Sequence, residues 1–140
     1  MPSRVIVLEA DPDPKDLARL QAEIEAFNCA ATGFDDGRRL ACFVRDDAGD
    51  MLAGLSGYTW GGYCRIEFLW VTERLRRRGI GRDLVATAER EARARGCALI
   101  VLDTHDFQAP RFYEKLSFLA VGRAEGCPRG SGQTWYRKTL

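Results

Sequence analysis

At 140 residues, with 46% hydrophobic and 29% charged side chains, the chain has material for one globular core and too little for two. Its formal net charge of +1 argues against a general nucleic-acid or polyanion binder, so any arginine cluster reads as a local device. No stretch approaches the roughly 18 apolar residues of a membrane span, and the N-terminus lacks a basic-then-apolar signal pattern. Cys29, Cys42, Cys64, Cys97 and Cys127 are scattered and odd in number, with neither disulfide-framework nor zinc-site spacing. The expectation is a single-domain cytoplasmic protein with reduced thiols, no metal and no membrane partner.

In chain order, Arg4 to Leu8 is β-branched and apolar and reads as a strand, stopped by Asp11-Pro12-Asp13-Pro14. Asp13 suits an N-cap with Pro14 at the first helical position. Leu17, Leu20, Ile24 and Phe27 recur at helical spacing, which predicts a helix to about Phe27 with one buried face. Thr32 to Gly37 is a loop. Leu40 to Arg45 and Met51 to Trp60 are strands around the turn Asp46 to Asp50, and Gly54 and Gly57 suggest a bulge or a close backbone approach. Gly61-Gly62 then makes a tight hairpin.

Tyr63 to Thr72 alternates. Cys64, Ile66, Phe68 and Trp70 are uniformly apolar and read as a core face; Tyr63, Arg65, Glu67, Leu69 and Val71 form a mixed face suited to a cleft, a parity that a bulge would swap. Next comes Arg76-Arg77-Arg78-Gly79-Ile80-Gly81-Arg82, before a helical pattern starting near Asp83. Glycines two apart at a helix mouth let successive N–H groups converge where the helix dipole is positive, a site for an anion, and the arginines add mobile charge. The competing reading is a solvated loop capped by a glycine turn. Leu84, Val85, Ala88 and Ala92 give the helix a buried stripe that ends at Gly96, and Cys97 to Leu102 is a strand covered on both faces. This is a β-α-β unit with its glycine turn at the carboxyl end of the first strand. Asp106 can cap a short helix to Leu116, His105 reads as a solvent-facing loop residue, and strands at Phe118 to Arg123 and Gln133 to Leu140 close the chain around a polar loop.

This element order, with Arg76-Arg77-Arg78-Gly79-Ile80-Gly81 and Phe112-Tyr113-Glu114-Lys115-Leu116-Ser117-Phe118, resembles the GNAT superfamily of acyl-CoA-dependent N-acyltransferases. The first segment matches the family's [Gln/Arg]-x-x-Gly-x-[Gly/Ala] signature. The second resembles Phe-Tyr-x-x-x-Gly-Phe, with Ser117 in place of the glycine. Gln108-Ala109-Pro110-Arg111-Phe112-Tyr113 is also similar to a bacterial subgroup. The resemblance implies an α/β fold: a mixed, mostly antiparallel sheet of about six to seven strands with three to four helices, in which a splayed parallel strand pair forms a cofactor wedge. It further implies that acetyl-CoA lies between the strands at Glu67 to Val71 and Leu99 to Asp103. Pantetheine would pair with the backbone of Leu69 and Val71, flanking Trp70. The pyrophosphate would sit on the N–H groups of Arg78, Gly79, Gly81 and Arg82 around Ile80, with Arg76 and Arg77 close by. The family often has an asparagine where this chain has Asp106, and that carboxylate suits a helix cap better than a phosphate contact.

Acyl transfer to an amine needs a neutral amine, an oxyanion site and a proton for the leaving thiolate. Glu67 is the candidate base or ammonium-orienting group, against a purely structural pairing with Arg65 or a neighbouring strand; Asp103 is the reserve. Tyr113 resembles the family's general acid, against a packing role beside Phe112. Tyr58, Trp60 and Trp70 suit core or a dimer surface, so a homodimer stays open. Two functions are consistent with these residues: an N-acetyltransferase acting on a small-molecule or peptide amine, or a non-catalytic acyl-CoA-binding sensor of the same fold.

Overall fold

The structure, a computed structural model, describes residues 2–140 as two compact units that divide after Asp35. The N-terminal unit is built on helix α1, Pro14–Thr32. The Asp13 carboxylate accepts from Lys15 N at 2.9 Å, Pro14 opens the helix, and Gly33 closes it in the left-handed conformation at φ 75°. No breaker intervenes between Phe27 and Gly33, so α1 runs past the expected end at Phe27. Two expectations fail in this unit. Arg4 to Leu8 forms no strand, because a β-forming sequence becomes one only where a neighbour takes its N–H and C=O groups, and these residues enter no ladder. Within this unit the α1 stripe of Leu17, Leu20, Ile24 and Phe27 finds no cover, so the expected buried face is not formed there.

The second unit carries a six-stranded sheet in the order β1-β2-β3-β4-β6-β5. Its strands are β1 (Arg38–Arg45), β2 (Met51–Trp60), β3 (Tyr63–Val71), β4 (Leu99–His105), β5 (Leu119–Glu125) and β6 (Gly132–Thr139). Every neighbouring pair is antiparallel except β3 and β4. Helix α2 (Ile80–Ala94) joins that parallel pair, and α3 (Pro110–Lys115) follows β4. Gly61 and Gly62, at φ 55° and 85°, make the β2–β3 hairpin. α2 buries Leu84, Val85, Ala88 and Ala92 in a core shared with Leu40, Leu55, Cys64, Ile66, Ile100, Leu102 and Phe118. The mixed, mostly antiparallel architecture with one parallel pair is the one expected.

The central irregularity is a bulge in β3. Gly57 faces Ile66 while the next β2 residue back, Ser56, faces Phe68, so Glu67 has no partner across the ladder. A Cβ on Gly57 would lie 1.9 Å from the Arg65 carbonyl oxygen, which is why glycine stands opposite the bulge. The extra residue swaps the parity of the remainder of the strand. Cys64 and Ile66 face the core as expected, but beyond Glu67 it is Leu69 and Val71 that pack against the core, and Phe68 and Trp70 are 73% and 48% exposed. The expected core face is therefore correct only up to the bulge.

Candidate active site

β3 and β4 are paired only from Tyr63↔Leu99 to Arg65↔Val101, and then the ladder ends. Past Arg65 the β3 edge turned away from β2 has no strand beside it. The gap is a cleft of about 1170 Å³. It is lined by Glu67, Leu69, Trp70, Val71, Arg76, Arg77, Gly79, Ile80, Gly81 and Tyr113, so most of the residues singled out from the sequence meet in one place. Arg78 and Arg82 are not among its lining residues, and the Arg82 guanidinium pairs with Asp83 at 3.3 Å.

The turn into α2 is shaped by two left-handed residues, Arg77 at φ 62° and Gly79 at φ 82°. Left-handed residues separated by one position make a concave row of N–H groups. α2 starts at Ile80 rather than near Asp83, and its first internal closure is Asp83 N to Gly79 O at 3.0 Å. Among the described residues, the backbone N–H groups of 77–82 have no protein acceptor. Arg76 is anchored by Nε donating to the Val71 carbonyl at 3.0 Å. Gly81 sits against the Phe112 ring, 3.3 Å from where a Cβ would be, so the second glycine lets α2 approach α3.

Tyr113 projects from α3 into a ring cluster with Phe112, Phe118 and Tyr136. It is 7% exposed, yet it lines the cleft. Its hydroxyl has no hydrogen bond to protein among the described residues, and no side-chain polar atom there is buried without a partner, so this oxygen opens to the cleft. Burial, with Asp103 nearby, pushes its pKa up to about 12. Glu67, on the bulge, pairs with Arg39 of β1 at 3.3 Å rather than with Arg65. Arg65 instead pairs with Asp103, which also accepts from Gln133 Nε2, so a polar tie crosses β3, β4 and β6 at the point where the wedge opens. Burial alone would raise the Asp103 carboxyl, but the hydrogen bonds from Arg65 and Gln133 and the Arg65 charge hold it below its ordinary value. A carboxylate so engaged is a weak proton acceptor.

Two positions depart from the sequence reading. Asp106 caps no helix: α3 begins after Ala109 without a side-chain cap. The Asp106 carboxylate is forked by Arg123 at 2.7 and 2.8 Å and accepts from Gly132 N, bonds that hold its pKa down. Arg123 lies far along the chain, so no local pattern signals this pair. His105 is the last residue of β4, not a loop residue, and it lines the cleft. Arg39, the partner of Glu67, was equally invisible in the sequence, since register alone brings β1 opposite the bulged strand.

Comparison with known proteins bears on this arrangement. The family model described as "Acetyltransferase (GNAT) family" matches residues 6–118. The chain belongs to this family. The GNAT chain is 36% identical over 129 residues to "Acetyltransferase Atu2258" of Agrobacterium fabrum, spanning 88% of this chain and 94% of that protein. It is 32% identical over 91 residues to "Blasticidin-S acetyltransferase" of Streptomyces morookaense, spanning 64% of this chain and 67% of that one. A crystal structure of a protein from Agrobacterium tumefaciens superposes with a TM-score of 0.92 at 33% identity, covering 98% of this chain and 100% of the other. This GNAT protein is an acyl-CoA-dependent acetyltransferase with acetyl-CoA as donor. Its residues fit that donor: unpaired amides and Arg76 and Arg77 for the phosphates, and an unpaired β3 edge for the extended arm. Among the described residues no cluster of His, Cys, Asp or Glu can hold a metal ion, and no helix is long and apolar enough to cross a membrane.

Proposed function

We propose that this chain is an N-acetyltransferase that moves the acetyl group of acetyl-CoA to a primary amine of a small molecule or peptide, by direct attack in a ternary complex. The observation that carries the reading is the row of unpaired N–H groups at 77–82, where the β3–β4 wedge meets the α2 N-terminus. The donor supplies an activated acetyl group as a thioester.

In this reading the amides of Arg78, Gly79, Gly81 and Arg82, with Ile80 between, hold the diphosphate, and Arg76 and Arg77 neutralise it. Leu69, Trp70 and Val71 present the backbone edge along which the pantetheine arm aligns. The bulge at Glu67 frees main-chain groups on that strand, which supports an oxyanion site there. Tyr113 offers its hydroxyl hydrogen to the departing sulfur. Glu67 orients the acceptor ammonium within the cleft, its own position fixed by Arg39. The family match runs across residues 6–118, which supports one working domain over 1–140. A homodimer is part of the proposal: within its own unit α1 leaves Leu17, Leu20, Ile24 and Phe27 uncovered, an apolar stripe suited to a second copy. Sedimentation should return a dimer mass, and a monomer at micromolar concentration would remove that part.

The test is calorimetry with acetyl-CoA followed by thiol-release assays on a panel of amines. Blasticidin S comes first, because the Streptomyces relative is named for it; a polyamine and a short peptide with a free N-terminus complete the set. Binding with acetylation of at least one amine is expected. A folded protein that gives no heat with acetyl-CoA contradicts the proposal.

A further inference from the structure

We propose that His105 is the general base of this reaction, taking the acceptor's proton on Nε2; this rests on the acetyltransferase reading above. The ring is fixed at both its edge and its face. Nδ1 lies 2.7 Å from the Cys127 carbonyl oxygen, and the ring stacks on Phe107 at 5.1 Å with the planes 3° apart. A carbonyl can only accept, so Nδ1 carries the hydrogen. The neutral tautomer therefore keeps its lone pair on Nε2, the nitrogen with no protein partner among the described residues. His105 and Phe107 both line the cleft, at the β4 side of the wedge.

Two carboxylates lie close to His105 along the chain. Asp103, on β4, and Asp106, just beyond it, both feel the His105 charge. Each carboxylate is already engaged, Asp103 by Arg65 of β3 and Gln133 of β6, and Asp106 by Arg123 of β5. Neither is left free to compete for the acceptor's proton. Imidazole is also the side chain whose ordinary proton affinity lies nearest neutrality, so it accepts from an ammonium with a smaller mismatch than a carboxylate does. In the step, the acceptor's N–H bond breaks, its electron pair stays on the amine nitrogen, and Nε2 binds the proton and passes it to solvent. The overall balance is ammonium plus thioester giving amide, thiol and one proton.

His105 is the only histidine in the chain, so its ring nitrogens are the only imidazole signals in a ¹⁵N-labelled sample. We expect the Nδ1–H tautomer, with the Nε2 resonance moving when acetyl-CoA is added to saturation. An Nε2–H tautomer, or an Nε2 signal that acetyl-CoA leaves in place, overturns the proposal. For turnover, His105→Asn keeps an N–H able to reach the Cys127 carbonyl but offers no base. It should bind coenzyme A as the wild type does and lose about 100-fold or more in kcat near pH 7 with the amine that scores in the panel. The deficit should shrink as pH rises toward the amine's own pKa; a deficit constant with pH overturns the assignment. A wild-type chain that fails to bind acetyl-CoA would instead overturn the acetyltransferase reading, so the two failures are distinct.

Discussion

Replacing Tyr113 with Phe removes one oxygen from the wall of the cleft, and the size of the effect depends on where that oxygen sits. Burial holds the phenol at about 12, so it stays protonated across any practical assay range. A thiol ordinarily ionises near 8.5, so complete proton transfer from Tyr113 to a departing thiolate is uphill by about 5 kcal/mol before the sulfur's surroundings are counted. In the proposed mechanism Tyr113 would therefore act chiefly as a hydrogen-bond donor to developing negative charge, an interaction of roughly 1.5–3 kcal/mol. That converts to a loss of about 10- to 150-fold in kcat for Tyr113→Phe. Because the hydroxyl has no protein partner among the described residues, no native hydrogen bond is lost, and urea unfolding should stay within about 0.5 kcal/mol of wild type. The KM for acetyl-CoA should be little changed. Steady-state kinetics by thiol release read all of this out; an unchanged kcat, or a loss of about 10⁴-fold expected of a full general acid, would be incompatible with a hydrogen-bonding role.

Three further predictions concern backbone and charge. Ser117 is held at φ 70°, so Ser117→Gly should stabilise by about 0.5–1 kcal/mol and raise the melting midpoint by roughly 2–4 °C; a lower midpoint would show that the serine is not strained there. Gly57→Ala places a methyl 1.9 Å from the Arg65 carbonyl and must displace the bulge, with a loss of about 2–3 kcal/mol in urea unfolding and a raised KM for acetyl-CoA; wild-type stability would contradict this packing. Asp103 has a lowered folded pKa, so its contribution is present above the unfolded value near 3.9 and is lost as pH falls through the lower folded value. Asp103→Asn should remove that part of the acid decline, and identical stability–pH slopes for the two proteins would count against the tie.

Much of this site was legible because its parts are local. The glycine spacing at Gly79 and Gly81, the Gly96 stop and the apolar run into β4 fix the β-α-β unit, and local rules reach that far. What escaped depends on pairing between distant segments. The bulge at Glu67 is decided by register against Gly57, so Phe68 and Trp70 alternate like core residues while facing solvent. Asp106 stands where a cap is wanted, but Arg123 on β5 takes its carboxylate away from the helix. Arg4 to Leu8 has strand composition without a ladder, and His105 joins the cleft only because β4 outruns its apolar stretch through Asp103.

If main-chain amides at 77–82 grip the donor's diphosphate, their chemical shifts must respond to it. Amide ¹H–¹⁵N spectra of the full chain, titrated with coenzyme A, read that response residue by residue. Saturable downfield shifts are expected at Arg78, Gly79, Gly81 and Arg82, largest in the spectrum, with the β5–β6 loop unmoved. Saturable binding that leaves those four amides where they were would mean that the diphosphate is held elsewhere.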